Sequence, residues 1–165
     1  MTSTNIDYTN TYFEYPVLTK VQGEPDFDSL RTLHNEIKAN ALSVTSTLGG
    51  GAHGHLGLVL SLADYARITM VPYLRLPHPG QLTIVAGTAN YEAERLTKEH
   101  KELIREWRET DDVEKTIIKQ IVAAIDAKYL KALRNRLTNS ITSNVSQVIR
   151  YLKDRYGMVP PVTFP

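Results

Sequence analysis

The residues best placed to do chemistry are two histidines set in a run of glycine, Leu48-Gly49-Gly50-Gly51-Ala52-His53-Gly54-His55-Leu56-Gly57-Leu58-Val59-Leu60. Five of the chain's nine glycines fall within it. Two histidines two residues apart can ligate one metal ion from an extended segment, but such a site needs a third ligand and usually a fourth. The chain has no cysteine, and His34, His78 and His100 fall in separate elements. The pattern therefore predicts a structural loop, in which Gly49, Gly50, Gly51, Gly54 and Gly57 supply tight backbone and His53 and His55 hydrogen-bond to it. No metal and no other cofactor is expected. The glycines do not form a phosphate-binding loop, because no lysine follows at the required spacing. A dinucleotide fold would need alternating strands and helices, which are lacking.

Other reactive arrangements are equally sparse. There is no Gly-x-Ser-x-Gly elbow for a nucleophilic serine. The acidic pair Asp111-Asp112 suits the positive end of a helix better than paired acid and base work. Lys128, Lys131, Arg134 and Arg136 make the one local positive excess, which can face solvent or touch phosphates. No active site is expected, and the chain does not read as an enzyme.

The elements that must position these residues are mostly helical. Asp26 or Asp28 can cap a helix whose face is Leu30, Leu33, Ile37, Ala41 and Val44. Ser61 caps a short helix running to about Ile68. Pro72, Pro77, Pro79 and Gly80 exclude helix from the next stretch. There Gln81–Val85 alternates like a strand, either as an extended loop or as a hairpin with Leu56–Leu60. Helix resumes at Thr88 with Leu96, Leu103 and Trp107 as its apolar stripe. Thr110–Glu114 reads as a new helix start or as a kink in one long helix, followed by Val113, Ile117, Ile121 and Ile125. Asn144 with Gln147 forms a capping box for the last helix, which carries Val145, Val148, Ile149, Leu152 and Tyr156 and ends at Gly157. The predicted fold is mainly α: a compact helical domain of about five to six helices over residues 26–159, with a sub-boundary near 86–90 and a Gly/Pro-rich loop or short hairpin in the middle. Residues 160–165 are read as a tail.

Residues 1–25 read as an extended arm, broken by Pro16, Gly23 and Pro25. Tyr8, Tyr12, Phe13 and Tyr15 crowd eight positions, unlike the aromatic-poor sequence of disordered tails. The arm packs either on its own domain or on a neighbouring copy, where these four aromatics would serve self-assembly. Nineteen basic and eighteen acidic residues leave a net charge of +1, which argues against a strongly basic nucleic-acid clamp. Met1–Asp7 has neither a basic start nor an apolar block, and no apolar run approaches a membrane span, so an intracellular, cytoplasmic protein without signal peptide or membrane partner is expected.

Three pieces of the chain, in order, resemble the Gag capsid region of copia-type LTR retrotransposons, particularly the divergent forms of algal and other protist genomes. The first is Leu30–Leu60, a helix running into the glycine-histidine stretch and then Asp64-Tyr65-Ala66. The second is His78-Pro79-Gly80 leading to Ala86-Gly87-Thr88 and the helix with His100-Lys101-Glu102. The third runs from Val113-Glu114-Lys115 through Tyr129-Leu130, Leu133-Arg134 and Thr138–Thr142 to Tyr151-Leu152 and Tyr156-Gly157. Together they span about residues 17–159. The resemblance implies a helical protein that assembles with itself into particles or other regular oligomers and encloses RNA, with no catalytic residue in this region. The Cys/His zinc knuckle, protease, integrase and reverse transcriptase of such elements lie outside these 165 residues, as in a fragment or a stand-alone gene derived from such a Gag. The expected partners are copies of itself, with RNA second. A nucleic-acid-coating protein without a closed shell is the alternative reading, and a His-dependent metal enzyme a third. No small-molecule substrate is expected.

Overall fold

Helix formation starts from caps that the sequence places plainly. The computed structural model describes residues 6–159, so the tail 160–165 and the first five residues of the arm lie outside the described residues. Among the described residues five α-helices run in the order α1 (Tyr8–Thr11), α2 (Phe27–Leu42), α3 (Leu62–Ile68), α4 (Asn90–Ala124) and α5 (Val145–Tyr156). Short 3-10 turns lie at Leu48–Gly51, Leu56–Leu58, Ala127–Tyr129 and Lys131–Leu133. Asp26 caps α2 by accepting from the Ser29 N–H, and Ser29 Oγ accepts in return from the Asp26 N–H. Asn144 and Gln147 make the same reciprocal pair at α5. Each pair satisfies two amide donors that the first helical turn cannot bond internally.

The core lies where α2, α5 and the second half of α4 meet. Leu30, Leu33, Ile37 and Ala41 of α2 are buried against Val113, Ile117 and Ile121 of α4 and Val145, Val148 and Leu152 of α5. Burying each large aliphatic side chain contributes about 1.5–3 kcal/mol, which makes this seam the main source of stability. Thr110–Glu114 lies inside α4, so the acidic residues there mark neither a new helix start nor a break. Asp111 instead pairs with Arg75 and Lys115 along the side of the helix.

No strand forms among the described residues. Gln81–Val85 runs irregularly, and Leu56–Leu58 is taken up by a 3-10 turn, which removes the partner a hairpin would need. The first half of α4 also departs from expectation. The first buried residue of this 35-residue helix is Thr110, twenty residues from its start. Asn90–Glu109 therefore forms an overhang about 30 Å long at 1.5 Å per residue. Leu103, placed in the apolar stripe from its spacing, is 44% exposed. The 70–89 segment is what meets this part of α4: the His78 ring stands edge-on to Trp107 at 4.5 Å, and His100 Nε2 lies 2.7 Å from the Gly80 carbonyl.

The described part of the arm, from Ile6, contains one helical turn. Asp7 caps the single turn α1 by accepting from Asn10, and α1 packs on α4. Farther along, a buried polar set fastens the chain. Asn40 Oδ1 accepts from the Tyr15 N–H at 2.8 Å, while Asn40 Nδ2 and Gln120 Nε2 both donate to the Tyr15 carbonyl at 3.0 Å. The Thr19 N–H and hydroxyl both donate to the Glu36 carboxylate at 2.8 Å. The Val21 N–H then closes on the Ala124 carbonyl at 2.8 Å. Leu18 and Val21 are buried between these ties.

Candidate functional site

The glycine-histidine loop is built on the open carbonyl end of α2. The His55 N–H donates to the Ala41 carbonyl at 2.9 Å, continuing the helix's hydrogen bonding after the chain has turned. Gly54 makes that return possible. Its φ is +51°, and a Cβ there would lie 2.6 Å from the Val44 carbonyl and 2.9 Å from those of Ala41 and Leu42. Only glycine fits a left-handed backbone pressed onto three carbonyls. Gly57 serves a different need: its backbone lies flat against the Tyr73 ring, where any side chain would overlap it.

These contacts send His53 and His55 in different directions. His53 is half-buried, edge-on to Tyr65 at 6.2 Å between ring centres. His55 is buried, with Nδ1 2.8 Å from the Tyr73 hydroxyl and Nε2 3.1 Å from Glu109 Oε1. A carboxylate can only accept, so Nε2 carries the hydrogen and Nδ1 accepts from Tyr73. Burial lowers the His55 pKa, and the bond to Glu109 opposes that shift without reversing it. Arg105 steadies the far oxygen of Glu109 at 3.1 Å. Glu109, His55 and Tyr73 thus stand in the order of a proton relay. Burial raises the pKa of the Tyr73 hydroxyl strongly, and neither Tyr73 nor His55 lines the cavity of about 190 Å³ beside Glu109. What the arrangement does is fasten the loop and Tyr73 to α4. Among the described residues, no three histidine or carboxylate side chains gather to hold a metal ion.

The aromatic arm divides in two. Tyr8 and Phe13 are buried against the chain's own core, with ring centres 6.5 Å apart, whereas Tyr12 and Tyr15 are exposed. The basic set divides as well. Arg134 is half-buried and donates to the Asn139 carbonyl at 2.7 Å, closing the turn in which Asn139 has a φ of +57°. Lys128, Lys131 and Arg136 face solvent, with the Lys128 ammonium 5.1 Å from the centre of the Tyr129 ring.

One constellation escaped the sequence reading. Arg31, His34, Asn35 and Lys38 occupy one side of α2, and Lys153 reaches them from α5 around a cavity of about 210 Å³. Their spacing on α2, at i, i+3, i+4 and i+7, is a readable helical stripe. Its partner lies 119 residues farther on, where no local pattern points back. Lys153 Nζ lies 2.7 Å from His34 Nδ1, and His34 Nε2 lies 3.3 Å from the Val59 carbonyl. Because that carbonyl only accepts, the ring is the Nε2–H form and takes the Lys153 hydrogen bond on Nδ1. Burial, reinforced by Lys153 and Lys38, pushes the His34 pKa down to about 4.

No protein-family model, curated protein or solved structure matches the chain.

Proposed function

We propose that this chain is a structural subunit that associates with copies of itself into regular oligomers or particles, in the manner of a Gag capsid domain. The observation that carries the reading is a set of exposed apolar side chains on the segment leading to α4 and at the start of that helix. Met70 is 99% exposed, Tyr91 77%, Val85 75% and Leu74 66%, and all lie on the first half of α4 or on the segment leading to it. Large apolar side chains left this exposed suit an interaction face.

Charge favours a second copy as the occupant. Along Asn90–Glu109 five basic and six acidic residues alternate, so the face carries no strong field of either sign. Arg95 bonds to Glu92 and Glu99, and Arg105 to Glu102 and Glu109. A face so nearly neutral selects a partner that is neutral too, and a two-fold pairing of overhangs meets that condition. Exposed Tyr12 and Tyr15 add aromatic surface suited to a further contact. The resemblance to Gag capsid regions supports the same reading, which assigns the chain no catalytic step and places it in the cytoplasm. RNA enters as a second partner because Lys128, Lys131 and Arg136 stand free in solvent, able to meet phosphates.

Size-exclusion chromatography with light scattering, followed by electron microscopy, tests the proposal. The expected result is a mass above the 18.6 kDa of one chain that rises with concentration. Leu74→Ser with Tyr91→Ser is expected to give a folded monomer of unchanged circular dichroism. A wild-type chain that stays monomeric at every concentration overturns the reading.

A further inference from the structure

We propose that the cavity between α2 and α5 is an oxyanion site, which takes a phosphate group between Lys38, Lys153 and Arg31. Two lysines on different helices are brought to one small cavity, and neither has an ion-pair partner among the described residues. Holding like charges together costs free energy, and the closeness registers on Lys153, whose pKa is lowered first by burial and then by Lys38. An anion placed between them turns that repulsion into attraction.

His34 makes the arrangement more than a chance meeting of surface chains. It is buried, its Nε2–H is directed at the Val59 carbonyl, and its Nδ1 receives one hydrogen of the Lys153 ammonium. That bond sets the direction of Lys153 and leaves two ammonium hydrogens for a ligand. His34 is therefore a positioning residue, and Lys153 and Lys38 are the groups that meet the anion. Carboxylates are also near: Asp28 holds Arg31 at 3.3 Å, and Asp64 of α3 acts on both His34 and Lys153 from farther off. Asp64 forms no ion pair with Lys153, so the ammonium is not spent on it. Phosphate, with several acceptor oxygens and a charge near −2, matches two ammonium groups and a guanidinium better than a single carboxylate does. Phe27 and Leu30 supply an apolar wall for whatever carries the phosphate.

Inorganic phosphate is titrated into the full chain at neutral pH and fixed ionic strength, with the His34 ring and nearby amide signals followed by NMR. A parallel titration uses a single-stranded oligouridylate, whose phosphates are diesters. Saturable shifts confined to α2 and α5 are expected, weakened at least ~10-fold by Lys153→Met and by Lys38→Met and retained in Lys153→Arg. Tighter binding of the oligonucleotide at the same signals identifies an RNA backbone as the source. Tighter binding of inorganic phosphate identifies a free phosphate or monoester. Lys38 is half-buried and Lys153 exposed, and unchanged circular dichroism checks each variant; Lys38→Met decides alone should Lys153→Met unfold. Shifts that do not saturate, or that survive both methionine substitutions, overturn the proposal.

Discussion

Acidification from pH 7 to pH 5 is expected to destabilise the folded chain through His34, before most carboxylates titrate. The ring ordinarily titrates near 6.5, and in the folded chain burial with Lys153 and Lys38 pushes it down to about 4. A depressed folded value means that the unfolded chain takes up the proton first. The stabilising contribution is therefore complete above the unfolded pKa and is lost progressively as the pH falls from about 6.5 toward 4. The full interval of about 2.5 units corresponds to about 3 kcal/mol, of which about 2 kcal/mol is lost between pH 7 and 5. His55, whose pKa burial also lowers, acts in the same direction. Urea unfolding followed by circular dichroism at pH 7, 6 and 5 measures the loss. The same series on His34→Gln, which cannot take the proton, should be flatter by about 2 kcal/mol over that span. Equal pH dependence in the two proteins would refute the burial argument for His34.

Two further substitutions probe the packing. Gly54→Ala should cost at least about 2 kcal/mol, since it adds a Cβ in the left-handed region against the carbonyls of Ala41, Leu42 and Val44; an unchanged urea midpoint would show that the loop does not seat on α2. Ile121→Ala removes a fully packed side chain from the seam of α2, α4 and α5 and should cost about 2–5 kcal/mol by the same measurement, a cost near zero placing that face outside the core.

Features fixed within a few residues of each other were legible in the sequence. A cap at Asp26 or Asp28, the capping box at Asn144 and the short helix begun by Ser61 follow from neighbouring side chains; the structure has the first cap at Asp26, and the other two as read. The buried faces of α2 and α5 follow from periodicity for the same reason. What long-range contacts decide was not legible. Thr110–Glu114 reads either as a helix start or as a kink in one long helix, and local composition does not choose; α4 runs through it, with Val113 and Ile117 buried and Asp111 held by Arg75 from 36 residues away. Leu96, Leu103 and Trp107 recur at helical spacing, but period alone does not reveal that Leu103 stays exposed while Leu96 and Trp107 are half-buried. The arm left two placements open, and the ties that hold its described part to its own chain come from Asn40 and Gln120, 25 and 105 residues from Tyr15. Of the glycine-histidine loop, the need for glycine was readable, and the bonds of His55 to Tyr73 and Glu109 were not.

The continuity of α4 across the edge of the core makes it a lever. Its buried half is held in the core from Thr110 to Ala124, and its more exposed half, met on one side by the 70–89 segment, ends at Asn90 with no break between them. A tilt of about 10° at the clamp displaces the tip by about 5 Å over a 30 Å arm. Small repacking around Val113 or Ile117 is thereby converted into a large change in where the far end points. In a shell or lattice joined through those tips, the angle between neighbours would be set deep inside each subunit, and curvature would be adjusted by substitutions that never touch the contact itself.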